Sequence, residues 1–390
     1  MTTIFYYVIA VLMTTFALHA ADVPVSAPGR IELASPLDYS IVQRATRDGG
    51  NIIIAGTIIA DDGGTADALE VSITGKSLSG YLADSWQPLP YRPGDSTFHT
   101  ELPLAAGGWY RLRVRALRRG VPLAAASVEH VGLGEIFVIA GQSNSANYGE
   151  ERQTPKTGLV AAFNGHSWQP ANDPQPGAGG DRGSFMPPFG DAMAARYQVP
   201  IGIVALGIGA TSVREWLPAG TRLARPPTIM QNVTSVGLNE WEATGAIFAN
   251  FARRMKQLGP HGFRAVLWHQ GESDAHQKDP GRTLPGELYR QYLKQLIHDS
   301  RQVIGWNAPW FVAQASYHTP DDASSPEIRE AQRALWTAGV ALPGPDTDSL
   351  TGDMRENHGK GVHLSAKGLA RHGNLWAEKV GVWLDAELDK

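Results

Sequence analysis

The feature that most constrains this chain is the apolar run Glu135-Ile-Phe-Val-Ile-Ala140, preceded by Gly134 and stopped abruptly by Gly141, Gln142, Ser143 and Asn144. A run apolar on every side is a strand buried on both faces, which means a sheet covered by helices on both sides. Its glycine stop delivers small polar residues to the carboxyl edge of that sheet, where open α/β folds place their sites. Ser143 is therefore a candidate nucleophile. The plainer reading, a serine that only caps the next helix, fits this stretch equally well.

Downstream the pattern repeats. Val199–Leu206, Phe263–Trp268 and Pro309–Ala315 are further apolar strand candidates. Between them Trp241, Thr244, Phe248, Phe251, Met255 and Leu258 recur three or four apart and mark a helical face, as do Leu288, Tyr292, Gln295, Leu296 and His298. Ser325-Pro326 starts a third helix. A last one begins at Ser365 and carries Leu369, Trp376, Val380, Trp383 and Leu384 along one side. Strands alternating with helices predict a three-layer α/β/α domain with a parallel sheet over residues 134–390. Glu150 to Pro188, rich in Gly, Pro, Asn and Asp, carries no clear element and reads as a long loop beside the candidate nucleophile.

Residues 23–131 read differently. Asn51–Ile59, Ala68–Thr74 and Trp109–Ala116 are short alternating or β-branched runs separated by Gly- and Asp-rich turns, which predicts a small all-β sandwich. Trp86, Trp109 and Tyr110 could stack on sugars there or could serve as its core. The first 20 residues have the shape of a secretory signal peptide, with an apolar run from Ile4 to Leu18 and a small-residue cleavage site at Ala20, so an exported, periplasmic or secreted protein is expected. A chain without cysteine can have neither a disulfide framework nor a cysteine nucleophile. A net charge of −4 gives no electrostatic footprint for nucleic acid or an anionic membrane.

A serine attacks only if a base takes its proton and donors receive the oxyanion. His363, in a glycine-rich turn before the final helix, is the base candidate. Gly209, after the strand ending at Leu206, and Gln270, after the strand ending at Trp268, are donor candidates. The Gly207/Gly209 pair lacks the third glycine of a dinucleotide site, and His269, Glu272 and His276 lack the spacing of a zinc protease, so no cofactor and no metal are expected.

Four blocks carry a resemblance: GQSN at Gly141–Asn144, GATSVREW at Gly209–Trp216, WHQGESD at Trp268–Asp274 and GVHLSAKGL at Gly361–Leu369. Together, in this order, they resemble the SGNH hydrolase superfamily, and within it the sialate O-acetylesterase-like and acetylxylan-esterase-like branch. The resemblance implies Ser143 as nucleophile and His363 as general base and acid. It also implies an oxyanion hole of Gly209, Gln270 and the Ser143 N–H, no cofactor, and removal of acetyl groups from a glycan such as sialic acid or xylan. In that superfamily an acid usually sits three residues before the histidine, and here Lys360 occupies the place. Glu272 is the preferred substitute, with Asp353 and Glu356 as alternatives by nearness in sequence. Tyr148, Trp168 and Trp216 are candidates for the sugar cleft. Two other functions fit the same residues: a glycan-binding protein whose catalysis is lost, and an O-acetyl transferase.

Overall fold

The computed structural model describes residues 28–390; the expected signal peptide lies outside them. Nine strands come first: β1 (Gly29–Ser35), β2 (Ser40–Gln43), β3 (Gly49–Ala60), β4 (Ala68–Ser77), β5 (Gly80–Leu82), β6 (Gln87–Pro88), β7 (Thr97–Ala105), β8 (Gly107–Arg118) and β9 (Val121–Gly141). β1, β3 and β7 form an antiparallel sheet, while β4, β8 and the first half of β9 pair antiparallel in another. Alternate residues of both, among them Ile52, Ile54, Val71, Leu112 and Val114, meet in one apolar core.

β9 does not stop at the change of pattern near residue 131. It continues for 21 residues and becomes the central strand of the second sheet. There it lies between β12 (Ile201–Ala205) and β16 (Ala265–His269), parallel to both. β10 (Val160–Phe163) flanks β12, with β11 (Trp168–Pro170) antiparallel at the edge, and β17 (Trp310–Gln314) and β18 (Leu342–Asp346) extend the other side. The segment expected to be featureless thus supplies two strands. Its short β10 is apolar at Val160, Ala161 and Ala162 and takes its pairing from β12, a partner 41 residues away that no local pattern reveals.

Side chains along β9 alternate as a pleated strand requires. Ile136, Val138 and Ala140 enter one core with α2 (Ala246–Gln257), α4 (Gly286–Ile304) and α5 (Pro326–Thr337). Phe137 and Ile139 enter the other, with α1 (Met186–Tyr197) and α7 (Ala366–Leu388). α5 and α7 begin where the sequence says, whereas α1 was not foreseen. Ser325 and Ser365 accept backbone N–H groups at the starts of α5 and α7, and Gly305 takes the left-handed turn (φ 77°) that ends α4. The apolar stripe of α2 is shorter than its pattern, because Gly245 (φ 77°) precedes the helix and Trp241 belongs to a small sheet of β13 (Arg222–Leu223), β14 (Val233–Gly237) and β15 (Glu240–Ala243). Two single turns, α3 (Glu272–Ala275) and α6 (Glu356–Gly359), carry site residues.

Candidate active site

β9 ends at Gly141, whose φ of 127° suits only glycine and whose missing Cβ would come 2.0 Å from the His269 carbonyl oxygen. That close approach lets β9 pair with β16 to its last residue and then turn. Ser143 starts a single 3₁₀ turn there, buried at 6% exposure. A cavity of about 370 Å³ opens at this edge of the sheet and is lined by Ser143, Tyr148, Gly209, Glu272 and His363, with Gln142 and Ser273 beside them. Among the described residues no acceptor engages the backbone N–H of Ser143 or Gly209. A Cβ on Gly209 would meet the Tyr148 hydroxyl at 2.5 Å, so a larger residue there would have to displace that ring.

His363 is held from two sides. Its ring stacks on Tyr148 at 5.5 Å, and its Nδ1 lies 2.8 Å from Glu356 Oε1. The same carboxylate accepts the His363 backbone N–H at 3.2 Å, and the Glu356 N–H donates to the His363 carbonyl at 3.0 Å. An imidazole whose Nδ1–H is fixed by a carboxylate presents Nε2 as its basic atom. Of the carboxylates weighed from the sequence, the alternative Glu356 and not the preferred Glu272 meets this ring. Lys360 is exposed on the loop between them and Glu272 serves a different partner, so the acid on His363 comes seven residues upstream. Asn357 and His358, both left-handed at φ 54° and 57°, wind the chain back so that Glu356 can reach.

Glu272 is 5% exposed and sits between His269 Nε2 at 3.0 Å and the Asn144 amide at 3.1 Å. Burial alone would push its carboxyl up, but the His269 charge, the hydrogen bond to the same ring and the Asn144 amide hold it down at about 2. Asn144 also donates to the Val362 carbonyl at 3.3 Å, so it ties the turn of Ser143 to the loop that carries His363.

Gln270 departs from expectation as well. Its Nε2 faces Asp274 Oδ2 at 2.8 Å, the Thr211 carbonyl at 3.2 Å and Gln142 Oε1 at 3.3 Å, and it is absent from the cavity wall. Gln142, which sequence reasoning passed over as part of a motif, stands there instead. Its Oε1 accepts the Ser273 N–H at 2.9 Å as well as the Gln270 amide, so its own NH₂ is the end left for the cavity. Of the proposed cleft aromatics only Tyr148 lines the cavity. Trp216 is wholly buried, donating to Thr211 Oγ1 at 3.0 Å, and Trp168 packs on Phe163 away from the site. Asp353 pairs with Lys367 on the surface.

A parallel sheet wrapped by helices, with the serine and histidine brought to one cavity at its carboxyl edge, defines an SGNH-like carboxylic ester hydrolase. More particularly, the chain belongs to the carbohydrate esterase, sialic acid-specific acetylesterase family, whose profile matches residues 133–381. Among solved structures it is similar to a carbohydrate acetylesterase from Xanthomonas citri (19% identity, TM-score 0.52, 87% of this chain and 72% of that one). Weaker likenesses are to a protein from Arabidopsis thaliana (19% identity, TM-score 0.42, 63% and 96%) and to a family 2 carbohydrate esterase with its carbohydrate-binding domain from Corynascus thermopiles (Myceliophthora fergusii) (14% identity, TM-score 0.37, 91% and 99%). A search of the curated proteins finds no match.

Proposed function

We propose that the protein removes O-acetyl groups from a carbohydrate by double displacement. Ser143 Oγ attacks the acetyl carbonyl while His363 Nε2 takes its proton. The alkoxide of the sugar leaves with that proton, and His363 then draws a proton from water to release acetate from the acetyl-serine. Glu356 holds the imidazole and balances its charge. The Ser143 and Gly209 N–H groups receive the oxyanion. Gln142 is the third donor in this reading, with Gln270 bracing it from behind. The observation that carries the mechanism is the 2.8 Å contact of Glu356 with His363 Nδ1, which supplies the acid that Lys360 had put in question. The same contact speaks against a purely glycan-binding protein, the reading that a missing acid at Lys360 would have favoured.

The test is acetate release from acetylated sugars with no acceptor present. Ser143→Ala and His363→Ala should each lose several orders of magnitude in kcat, and Glu356→Gln about a thousandfold. Gln142→Ala should cost roughly a hundredfold or more. A Glu356→Gln enzyme as active as the parent would sink this assignment, and release of acetate only when an acceptor sugar is added would mean transfer.

The N-terminal strands, read as a β-sandwich, serve in this proposal as a structural extension and not as a sugar-binding module. Tyr110 is buried with its hydroxyl on the Ala105 carbonyl, Trp86 lies under the Arg113 and Arg115 guanidinium groups, and Trp109 donates to the Gly158 carbonyl at 2.7 Å. Export remains part of the proposal, and a mature N-terminus at Ala21 would support it.

A further inference from the structure

On the rim of the catalytic cavity His276, which follows α3, faces the loop after β17 that carries His318 and Asp322; both histidines line the cavity with Ser143 and His363. The donor atoms of the three side chains lie within 4.8 Å of one another. His276 Nδ1 is 2.9 Å and His318 Nδ1 3.6 Å from the same oxygen, Asp322 Oδ2. Ligands bound to one tetrahedral zinc at its usual bond lengths stand roughly 3.4 Å apart, between those two distances.

The tautomer of His276 strengthens the case. Its Nε2 lies 2.8 Å from the Ser316 carbonyl oxygen, which can only accept, so the proton of the neutral ring is on Nε2 and Nδ1 offers a lone pair. That lone pair points at a carboxylate, an arrangement that calls for a cation between them or a second proton on the ring. An N–H on a backbone carbonyl with the other nitrogen free is how metal-binding histidines are oriented. Ser316 is itself fixed, because Asp348 takes both its N–H and its hydroxyl at 2.7 Å, and the Ser316 hydroxyl in turn accepts the Ser325 N–H. The opposite side is a closed turn: the N–H groups of His318 and Thr319 donate to the Asp322 carbonyl, and the Asp322 N–H donates to that of Thr319. His318 and Asp322 are about half exposed, so an ion can enter without any opening of the fold.

We propose that His276 Nδ1, His318 Nδ1 and Asp322 Oδ2 form a binding site for a divalent transition ion of the zinc class. Two nitrogen donors and a single carboxylate suit zinc or its neighbours and not magnesium or calcium. Three protein ligands leave a coordination position for water or a sugar oxygen, beside the cavity and not within the Ser143–His363 pair. The bound ion ties the segment after α3 to the loop after β17 and, with its two charges set against that of Asp322, leaves one net positive charge on a rim where none of the lining residues is Lys or Arg.

Calorimetric titration of the chelator-treated full-length protein with zinc alone tests the site. The expected result is one equivalent bound, with affinity reduced tenfold or more in His318→Ala and in Asp322→Asn, unchanged in the remote His166→Ala, and a zinc-dependent rise in Tm that both rim variants lose. Failure of the native protein to take up zinc would overturn the proposal. So would equal affinity in the rim variants, which puts the ion elsewhere, or equal binding of magnesium. None of these outcomes depends on esterase activity, so the two proposals stand or fall separately.

Discussion

At the scale of single residues, the buried file behind the cavity shows which ring nitrogen of His372 accepts. The Trp376 Nε1–H can only donate, and it does so to His372 Nε2 at 2.9 Å. His372 Nε2 is therefore an acceptor, and His269 Nδ1, 3.1 Å away, must donate to it as well. His269 Nε2 then faces Glu272 Oε1 at 3.0 Å. A neutral, buried His372 has a measurable consequence. Burial, with help from the His269 charge, holds His372 well below the ordinary imidazole value of 6.5. A base depressed on folding binds more protons when unfolded, so its contribution is complete above 6.5 and lost as pH falls below that value. The unfolding equilibrium should shift about tenfold per pH unit through this one group until the folded-state value is reached. Urea unfolding of His372→Gln, which keeps an acceptor for Trp376, should show a pH slope shallower by one proton than the parent; parallel slopes would place a proton on His372 in the native state.

At the scale of elements, two sequence blocks prove to be one object. Asp274, from WHQGESD, receives the Val213 N–H at 2.8 Å, the Ser212 hydroxyl, Arg214 Nη2 at 3.2 Å and the Gln270 amide, so it fastens the turn after β12 to the turn after β16. Arg214 and Asp274 are both fully buried. Removing one partner of such a pair leaves an uncompensated charge, so Asp274→Ala should lower stability by about 3–5 kcal/mol in denaturant unfolding. Asp353→Ala, which breaks the exposed contact with Lys367, should leave the midpoint where it was. A small loss in Asp274→Ala would mean that water enters and solvates Arg214. These networks also mark what could be read in advance. The runs Glu135–Ala140, Phe263–Trp268 and Pro309–Ala315, the serine caps and the helical stripes are local signals, and the strands and helices stand where they pointed, save that the α2 stripe overran its helix at Trp241. Ser143, Gly209 and His363 could be brought to one edge because each follows, or nears, a recognisable element. What distinguishes Glu356 from Glu272 is not local. It depends on two left-handed residues in the loop before His363 and on which buried ring Glu272 meets, and neither leaves a trace in residue spacing. Gln142 and Gln270 differ only in which amide the Ser273 N–H and Asp274 claim.

At the scale of the whole molecule, the boundary suggested by the change of pattern at residue 131 runs through the middle of a continuous strand. β9 gives its first half to the N-terminal sheets and its second half to the centre of the parallel sheet, and β2 runs parallel to it across the junction, from Ser40 beside Val131 to Gln43 beside Gly134. A buried charge cluster sits at that point. Glu135 is fully buried, with Arg44 Nε and Arg264 Nε each 2.6 Å from one of its oxygens and the Gln43 amide at 2.8 Å. Arg44 directly follows β2 and Arg264 directly precedes β16, so neither region can unfold without stranding charges in the other. The described residues should therefore melt as one cooperative unit, and truncation at Val131 should fail to give a folded esterase because it removes half of β9 together with Arg44. Calorimetry of the full chain decides this. A single transition is expected, displaced as a whole to lower temperature in Arg44→Ala, with loss of acetyl-ester hydrolysis tracking the same curve. Two resolved transitions, of which Arg44→Ala moves only one, would show instead that the N-terminal strands are a separable domain and that the continuity of β9 is geometric without being energetic.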